Sequence, residues 1–300
     1  MSKIAGIAPY PILSFADLNG LKQSLLLFDL VGFFALDNQL GDLKRQAYRY
    51  PVLGHVAHEL EYLHSAGYLI EAMRKNETFS MPASSPATMD FLREGALIRQ
   101  IQSSLGAMKQ PDQKALKQIR EAESRLACIK LNFEDHDFTA VPLIQQLKLP
   151  AESKAAKADV IRLVVSKMPI PDSQTPWEKV FEFKRNPDNQ GRLSMLRDWM
   201  NKVVSSGRPV AEVNDELDAL LYQYRKSLEI HKIKHQVGTL QTLIVGAAEL
   251  FENVAKLKLS AIAKGLFSAG TAQADLYQTE LTAPGNALAY LYKADEAFKR

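Results

Sequence analysis

Every segment from Pro176 onward reads as helix, and this most narrows the folds open to the chain. Leu217, Leu221, Tyr224 and Leu228 recur at 4-3-4 spacing, which lines them along one side of a helix. Upstream, Pro176–Met200 packs both tryptophans, two phenylalanines and several basic residues into what reads as two short amphipathic helices with a polar hinge. The helical pattern continues over Ala247–Phe267, with Lys256, Lys258 and Lys264 interleaved. Pro284-Gly285 then breaks it ahead of a last helix over Ala287–Phe298. Any sheet must therefore come from the front of the chain.

There the signals alternate. Ile4–Ala8 reads as a strand ended by Pro9-Tyr10-Pro11, and Ser14 or Asp17 offers a cap for a helix through Leu21–Phe28. Leu30–Leu36 is a short aromatic and aliphatic run suited to a buried strand. Leu53, Val56, Leu60 and Leu63 follow 3-4-3 spacing, so Pro51–Ser65 is an amphipathic helix, with Gly67 placed to end it and Tyr68-Leu69-Ile70 to resume as strand. Thr78–Thr88 is a Ser/Pro/Ala-rich loop. Helices over Met89–Met108 and Gln113–Lys130 follow, divided by Gln110-Pro111-Asp112. Composition turns small and polar over Leu149–Ala158, as in a linker or an exposed helix. Next, the β-branched run Val160–Val165, stopped by Met168-Pro169-Ile170-Pro171, makes the best strand candidate. The expected architecture is helix-dominated α+β. A small sheet, which could be partly parallel, is drawn from residues 1–170, and residues 171–300 form an all-helical C-terminal part; the two could pack as one globule.

A chain of 300 residues with 46% hydrophobic and 24% charged content can bury a core without covalent staples. Its lone cysteine, Cys128, cannot form an internal bridge, which fits a reducing cytoplasm, and its helical register beside apolar neighbours favours a buried role. A formal charge of +3 does not by itself imply nucleic acid or membrane. The longest charge-free runs, Ile4–Ala16 and Gln236–Ala248, span 13 residues each, short of the roughly 18–20 that cross a bilayer. A cytoplasmic chain is expected, and an integral membrane protein is not.

No phosphate-binding glycine loop, nucleophile elbow or paired-cysteine metal motif is present. His55, His58 and Glu59 share one side of their helix, with Tyr62 one turn on, so three donors project together. The spacing is not that of a helical zinc motif, and a solvated polar face explains the same residues; no metal and no cofactor is expected. His231 and His235 extend the Leu217–Leu228 stripe by 3 and then 4 residues, where a pH-sensitive helix contact could lie. The adjoining Lys232 and Lys234 oppose a cation. Glu134-Asp135-His136-Asp137 concentrates acidic groups but lacks calcium-loop spacing, and a turn accounts for it. Within the aromatic segment Trp177 and Trp199 are expected to be buried. Arg185 and Arg197 could pair with carboxylates or hold a phosphate in bidentate geometry.

Gly6-Ile7 in a first strand, Leu25-Leu26-Leu27-Phe28-Asp29, Trp177–Phe183 with Lys184-Arg185, Arg197-Asp198-Trp199, and the terminal Ala289-Tyr290-Leu291-Tyr292 stand in this order. That order resembles a family of uncharacterised bacterial proteins of about 300 residues. The resemblance spans most of the chain. It implies a bacterial or phage-related cytoplasmic protein and supplies neither an activity nor catalytic residues.

The expectation drawn from these residues is a non-enzymatic, helix-rich interaction or regulatory protein. It would meet another protein, or itself, through its C-terminal helices, with Trp177, Arg185, Arg197, Trp199, His231 and His235 as candidate interaction residues. An enzyme or binding protein for nucleic acid or a phosphorylated ligand, contacted by Arg185 and Arg197, is the alternative. A membrane-active effector using residues 237–267 is the second.

Overall fold

A computed structural model describes residues 3–9, 18–74, 77, 79–83, 85, 87–106, 112–134, 138–143, 156–249, 280 and 282–298. The expected turn at 10–11, the caps at Ser14 and Asp17, residues 149–155 of the polar stretch and the helix beyond Glu249 lie outside the described residues.

The chain divides into two compact units, one formed by Met1–Pro150, Ala156–Asn186 and Ala297–Arg300, the other by Ala151–Ala155 and Pro187–Glu296. The first unit runs β1 (Lys3–Ala8), α1 (Asn19–Leu27), β2 (Leu30–Phe34), α2 (Leu36–Arg49), α3 (Val52–Ser65), β3 (Leu69–Met73), α4 (Thr88–Gly106), α5 (Gln113–Glu134), β4 (Phe138–Pro142), α6 (Lys157–Lys167) and α7 (Trp177–Arg185). Its four described strands form one sheet in the order β3-β2-β1-β4, and each of their pairings is parallel. The helix-dominated α+β expectation holds, with the sheet wholly rather than partly parallel.

Strand order explains the layering. Chain travel from β1 to β2 to β3 moves one way across the sheet, and the return to β4 passes to the far side of β1. Crossovers of one hand then place helices on opposite faces. Strand side chains alternate accordingly. Ala8, Val31, Phe33 and Leu69 meet α1, α2, α3 and α7, while Ala5, Ile7, Leu30, Ala72 and Ala140 meet Ala127 and Cys128 of α5. Both faces are covered, which is why these strands read as short, nearly unbroken apolar runs. The fit is tight at the middle of β2, where a Cβ on Gly32 would stand 2.5 Å from Ile7 Cδ1 and 3.0 Å from the Ala72 Cβ.

One strand expectation is overturned, and a strand appears where none was expected. Val160–Val165, read as the best strand, is the body of helix α6. Asp159 accepts the Ala156 N–H at 3.0 Å and so caps the helix start, while Gln23 donates to the Val165 and Met168 carbonyls at its end. The buried residues Val160, Ile161 and Val164 share one helical face. Satisfied ends and a buried stripe outweigh β-branching, a modest penalty in a helix. The fourth strand is instead Phe138–Pro142, an edge strand bonded to β1 on one side. Asn132 covers its open side, donating to the Ala140 carbonyl at 3.1 Å and accepting the Ala140 N–H at 2.7 Å, and Pro142 is tolerated at such an edge.

The second unit contains α8 (Pro187–Ser206), α9 (Val210–Glu249), a 3₁₀ turn at Asn286–Leu288 and most of α10 (Ala289–Phe298). Its described elements are all helical, as expected, and Val213, Leu217, Leu221, Tyr224 and Leu228 of α9 are buried. Tyr224 meets Tyr292 of α10 edge-on, with ring centroids 5.4 Å apart. Among the described residues no helix is long and apolar enough to cross a membrane.

Candidate functional site

The site begins with α1, whose outward polar residues are spent on the segment after α6. Lys22 is only 3% exposed; its ammonium donates to the carbonyls of Asp172 (3.3 Å) and Ser173 (2.9 Å) and lies 5.4 Å from the centre of the Trp177 ring. This fixes the loop ahead of α7. Lys184, at the other end of α7, donates to the carbonyls of Leu25 (3.1 Å) and Phe28 where α1 ends, with the Asp29 carboxylate 3.6 Å away. Asp29 in turn accepts the Ile4 N–H at 2.8 Å, tying the α1–β2 turn to β1.

Along α7 the aromatic residues stack inward. Tyr68 lies flat on Phe181 at 4.0 Å between centroids, and Trp177 follows at 6.0 Å from Phe181. The indole N–H of Trp177 donates to Glu59 Oε2 at 2.8 Å, and the other Glu59 oxygen lies 2.8 Å from His55 Nε2. One carboxylate thus joins a buried indole on α7 to an exposed imidazole on α3.

This relay stands in an open cavity of about 1160 Å³, bounded by α1, α2, α3 and the loop leading into α7. His58, Tyr62, Lys44 and Asp37 also line it. Lys44 pairs with Glu61, and His64 stands 4.0 Å from Asp37, so much of the wall is already internally balanced. Among the described residues no group of His, Cys, Asp or Glu is arranged to hold a metal ion. What remains is an open groove with hydrogen-bonding walls, a half-exposed tyrosine and one imidazole oriented by a carboxylate.

The residues singled out from the sequence fall in both units. Trp177 is buried beside the groove, and Arg185 is exposed, donating to the Tyr68 hydroxyl at 2.7 Å with its guanidinium 5.8 Å from the Phe181 ring. Arg197 and Trp199 belong to the second unit, where Trp199 is buried and donates to Glu216 at 3.3 Å. His231 and His235 fall on α9, but their side chains lie outside the described residues, as do residues 135–137 of the acidic cluster. His55, His58 and Glu59 are the residues that structure and sequence both bring together. Lys22 escaped notice, because nothing in a sequence marks a lysine whose partners are carbonyls far along the chain.

Two other features contain charged or reactive groups. Cys128 is buried, and burial pushes its thiol far up. In the second unit a cavity of about 200 Å³ is lined by Arg192 and Glu280, which pair at 2.7 Å, and Lys293 also bonds Glu280 at 2.7 Å. Its charges are mutually compensated.

No family model, curated protein or solved structure matches the chain. The likeness to uncharacterised bacterial proteins remains a resemblance. Fold and groove together define a class: a parallel α/β unit with a polar ligand-sized groove, joined in one chain to a helical unit.

Proposed function

We propose that the chain binds a polar small molecule in the groove of its first unit, with His55 and Glu59 as an acid–base pair. The relay from Trp177 through Glu59 to His55 is the observation that supports this reading. A carboxylate accepts hydrogen bonds and cannot donate when ionised. With Nε2 donating to Glu59, Nδ1 is the nitrogen left to take a proton from a bound molecule. The indole fixes the carboxylate, and the carboxylate fixes the imidazole, which is how an orienting group serves a base. A cavity of this volume is ample for a metabolite.

The interaction reading based on the α9 stripe has less to stand on, since Leu217, Leu221, Tyr224 and Leu228 are all buried in the folded chain. The phosphate reading drew on Arg185 and Arg197 as contact points; Arg185 bonds the Tyr68 hydroxyl in the first unit, and Arg197 belongs to the second.

Thermal unfolding of the full chain against a panel of nucleoside monophosphates, amino acids, hexoses and polyamines tests the proposal. A ligand present at one hundred times its Kd stabilises the folded state by about 2.7 kcal/mol. At least one class should raise the melting temperature in a saturable way, and His58→Ala or Tyr62→Ala should remove the rise. A panel without any stabilising member, or a rise indifferent to both substitutions, refutes it.

A further inference from the structure

The turn between α2 and α3 carries features that the groove does not use. Tyr48 is 94% exposed, Tyr50 60% and Val52 78%, three strongly exposed large side chains within five residues. The turn is also well held: Tyr50 N–H bonds the Gln46 carbonyl, Leu53 N–H that of Tyr50 and Gly54 N–H that of Pro51, each at 2.9 Å. The rings therefore project from ordered backbone, not from a loose loop.

Charge points the same way. Between Asp42 and Glu59 the chain has no acidic residue, while Lys44, Arg45 and Arg49 are all present. Lys44 is engaged with Glu61, and Arg45 with Asp42 at the exposed surface. Arg49 is exposed and makes no ion pair among the described residues. Arg45 stands one helical turn before both Tyr48 (i+3) and Arg49 (i+4), so the first guanidinium neighbours the aromatic ring on one side and the second guanidinium on the other along the surface of α2.

We propose that this turn is a contact surface for single-stranded nucleic acid, with Tyr48 and Tyr50 stacking on bases, Arg49 meeting a phosphate directly, and Arg45 exchanging its exposed Asp42 partner for another. Stacking faces alternating with cations are what a flexible strand of bases and phosphates requires, and such binding tolerates any sequence because every base has a face. Other occupants fit less well. Val52 is the one strongly exposed aliphatic residue between Asp42 and Glu59, too little apolar surface to enter a bilayer. A protein partner takes about 800 Å² from each side of a stable interface, far more than one turn supplies. A single strand can bend over it. The inference does not depend on the groove.

The test uses the full chain and fluorescence anisotropy of labelled oligo(dT) and oligo(U). Binding is expected at low salt, declining with salt at a slope of about −0.7 per phosphate neutralised. Arg49→Ala should make that slope shallower by about 0.7. Tyr48→Ala and Tyr50→Ala should each weaken binding by about 5-fold or more while leaving the salt slope unchanged. All three positions are exposed, so an unchanged melting temperature shows that the variants remain folded. Three results would each overturn the proposal: no binding to either oligonucleotide at low salt, binding indifferent to both tyrosine changes, or Tyr48-dependent sedimentation with phosphatidylserine vesicles in place of oligonucleotide binding.

Discussion

Glu123 offers the sharpest test of the energetics. It sits on α5 between the buried residues Ala122 and Ser124, and burial pushes its carboxyl up from 4.5 to about 6, with Arg120 only partly offsetting the cost. A carboxyl raised in the folded state holds its proton more tightly there than in the unfolded chain. Its contribution to stability is therefore present at acid pH and lost as pH rises from about 4.5 through about 6. Above that window the rise corresponds to a penalty of about 2 kcal/mol. Glutamine has nearly the shape of the protonated acid and cannot ionise. Glu123→Gln should match the parent near pH 4 and exceed it by up to about 2 kcal/mol near pH 8, with the difference opening inside the window. Glu77 pulls the other way, because the hydrogen bond from Lys130 lowers its carboxyl, so the parent profile alone mixes opposing slopes and the difference isolates Glu123. Urea unfolding at a series of pH values measures it. With Trp199→Phe as background, the remaining tryptophan, Trp177, reports on the first unit. Parallel profiles for the two proteins, offset by a constant, would refute a desolvated carboxylate at this position.

Gly285 has φ +78°, and a Cβ there would run into the Leu220 carbonyl oxygen, so Gly285→Ala should destabilise the second unit by at least about 2 kcal/mol, read from Trp199 fluorescence in urea. Cys128 should resist a disulfide reagent in the folded protein and react fully in denaturant, and fast native-state labelling would contradict its burial. Lys184→Met removes the donor to the Leu25 and Phe28 carbonyls and should cost about 1–3 kcal/mol in urea titrations followed by Trp177; a neutral result would mean that water replaces the ammonium freely.

Much of the fold was legible wherever one physical cue dominated. The first three strands are short apolar runs between breakers, and α3 announces itself through its 3-4-3 stripe and Gly67, which adopts φ +77° at the helix exit. Helix α6 and strand β4 show where such cues fail. Val160–Val165 has strand composition, but its ends are satisfied by Asp159 nearby and by Gln23, 142 and 145 residues away. Phe138–Pro142 is only 5 residues long and ends in a proline, but an edge beside β1 and a side-chain amide at Asn132 make good its hydrogen bonds. In each case the deciding partner is distant, or is a polar side chain no periodicity registers.

The same reasoning explains why half of the groove was visible beforehand. His55, His58 and Glu59 are close in sequence, and helical geometry alone puts them on one side of α3. What turns that polar face into a candidate site is Trp177, 118 residues on, which fixes Glu59, and Lys22, which holds the loop that delivers Trp177. Both contacts join α1 or α3 to the segment after α6, and both use buried donors on acceptors that would otherwise need water. Apolar packing of Trp177 and Phe181 against the sheet sets how near α7 comes, but it is nondirectional and would tolerate a turn of the helix either way. The hydrogen bonds at the two ends of α7 are directional, and they choose the orientation that points the indole at Glu59. The groove is thus a product of the few polar contacts buried in an otherwise apolar layer, which are the contacts a sequence displays least.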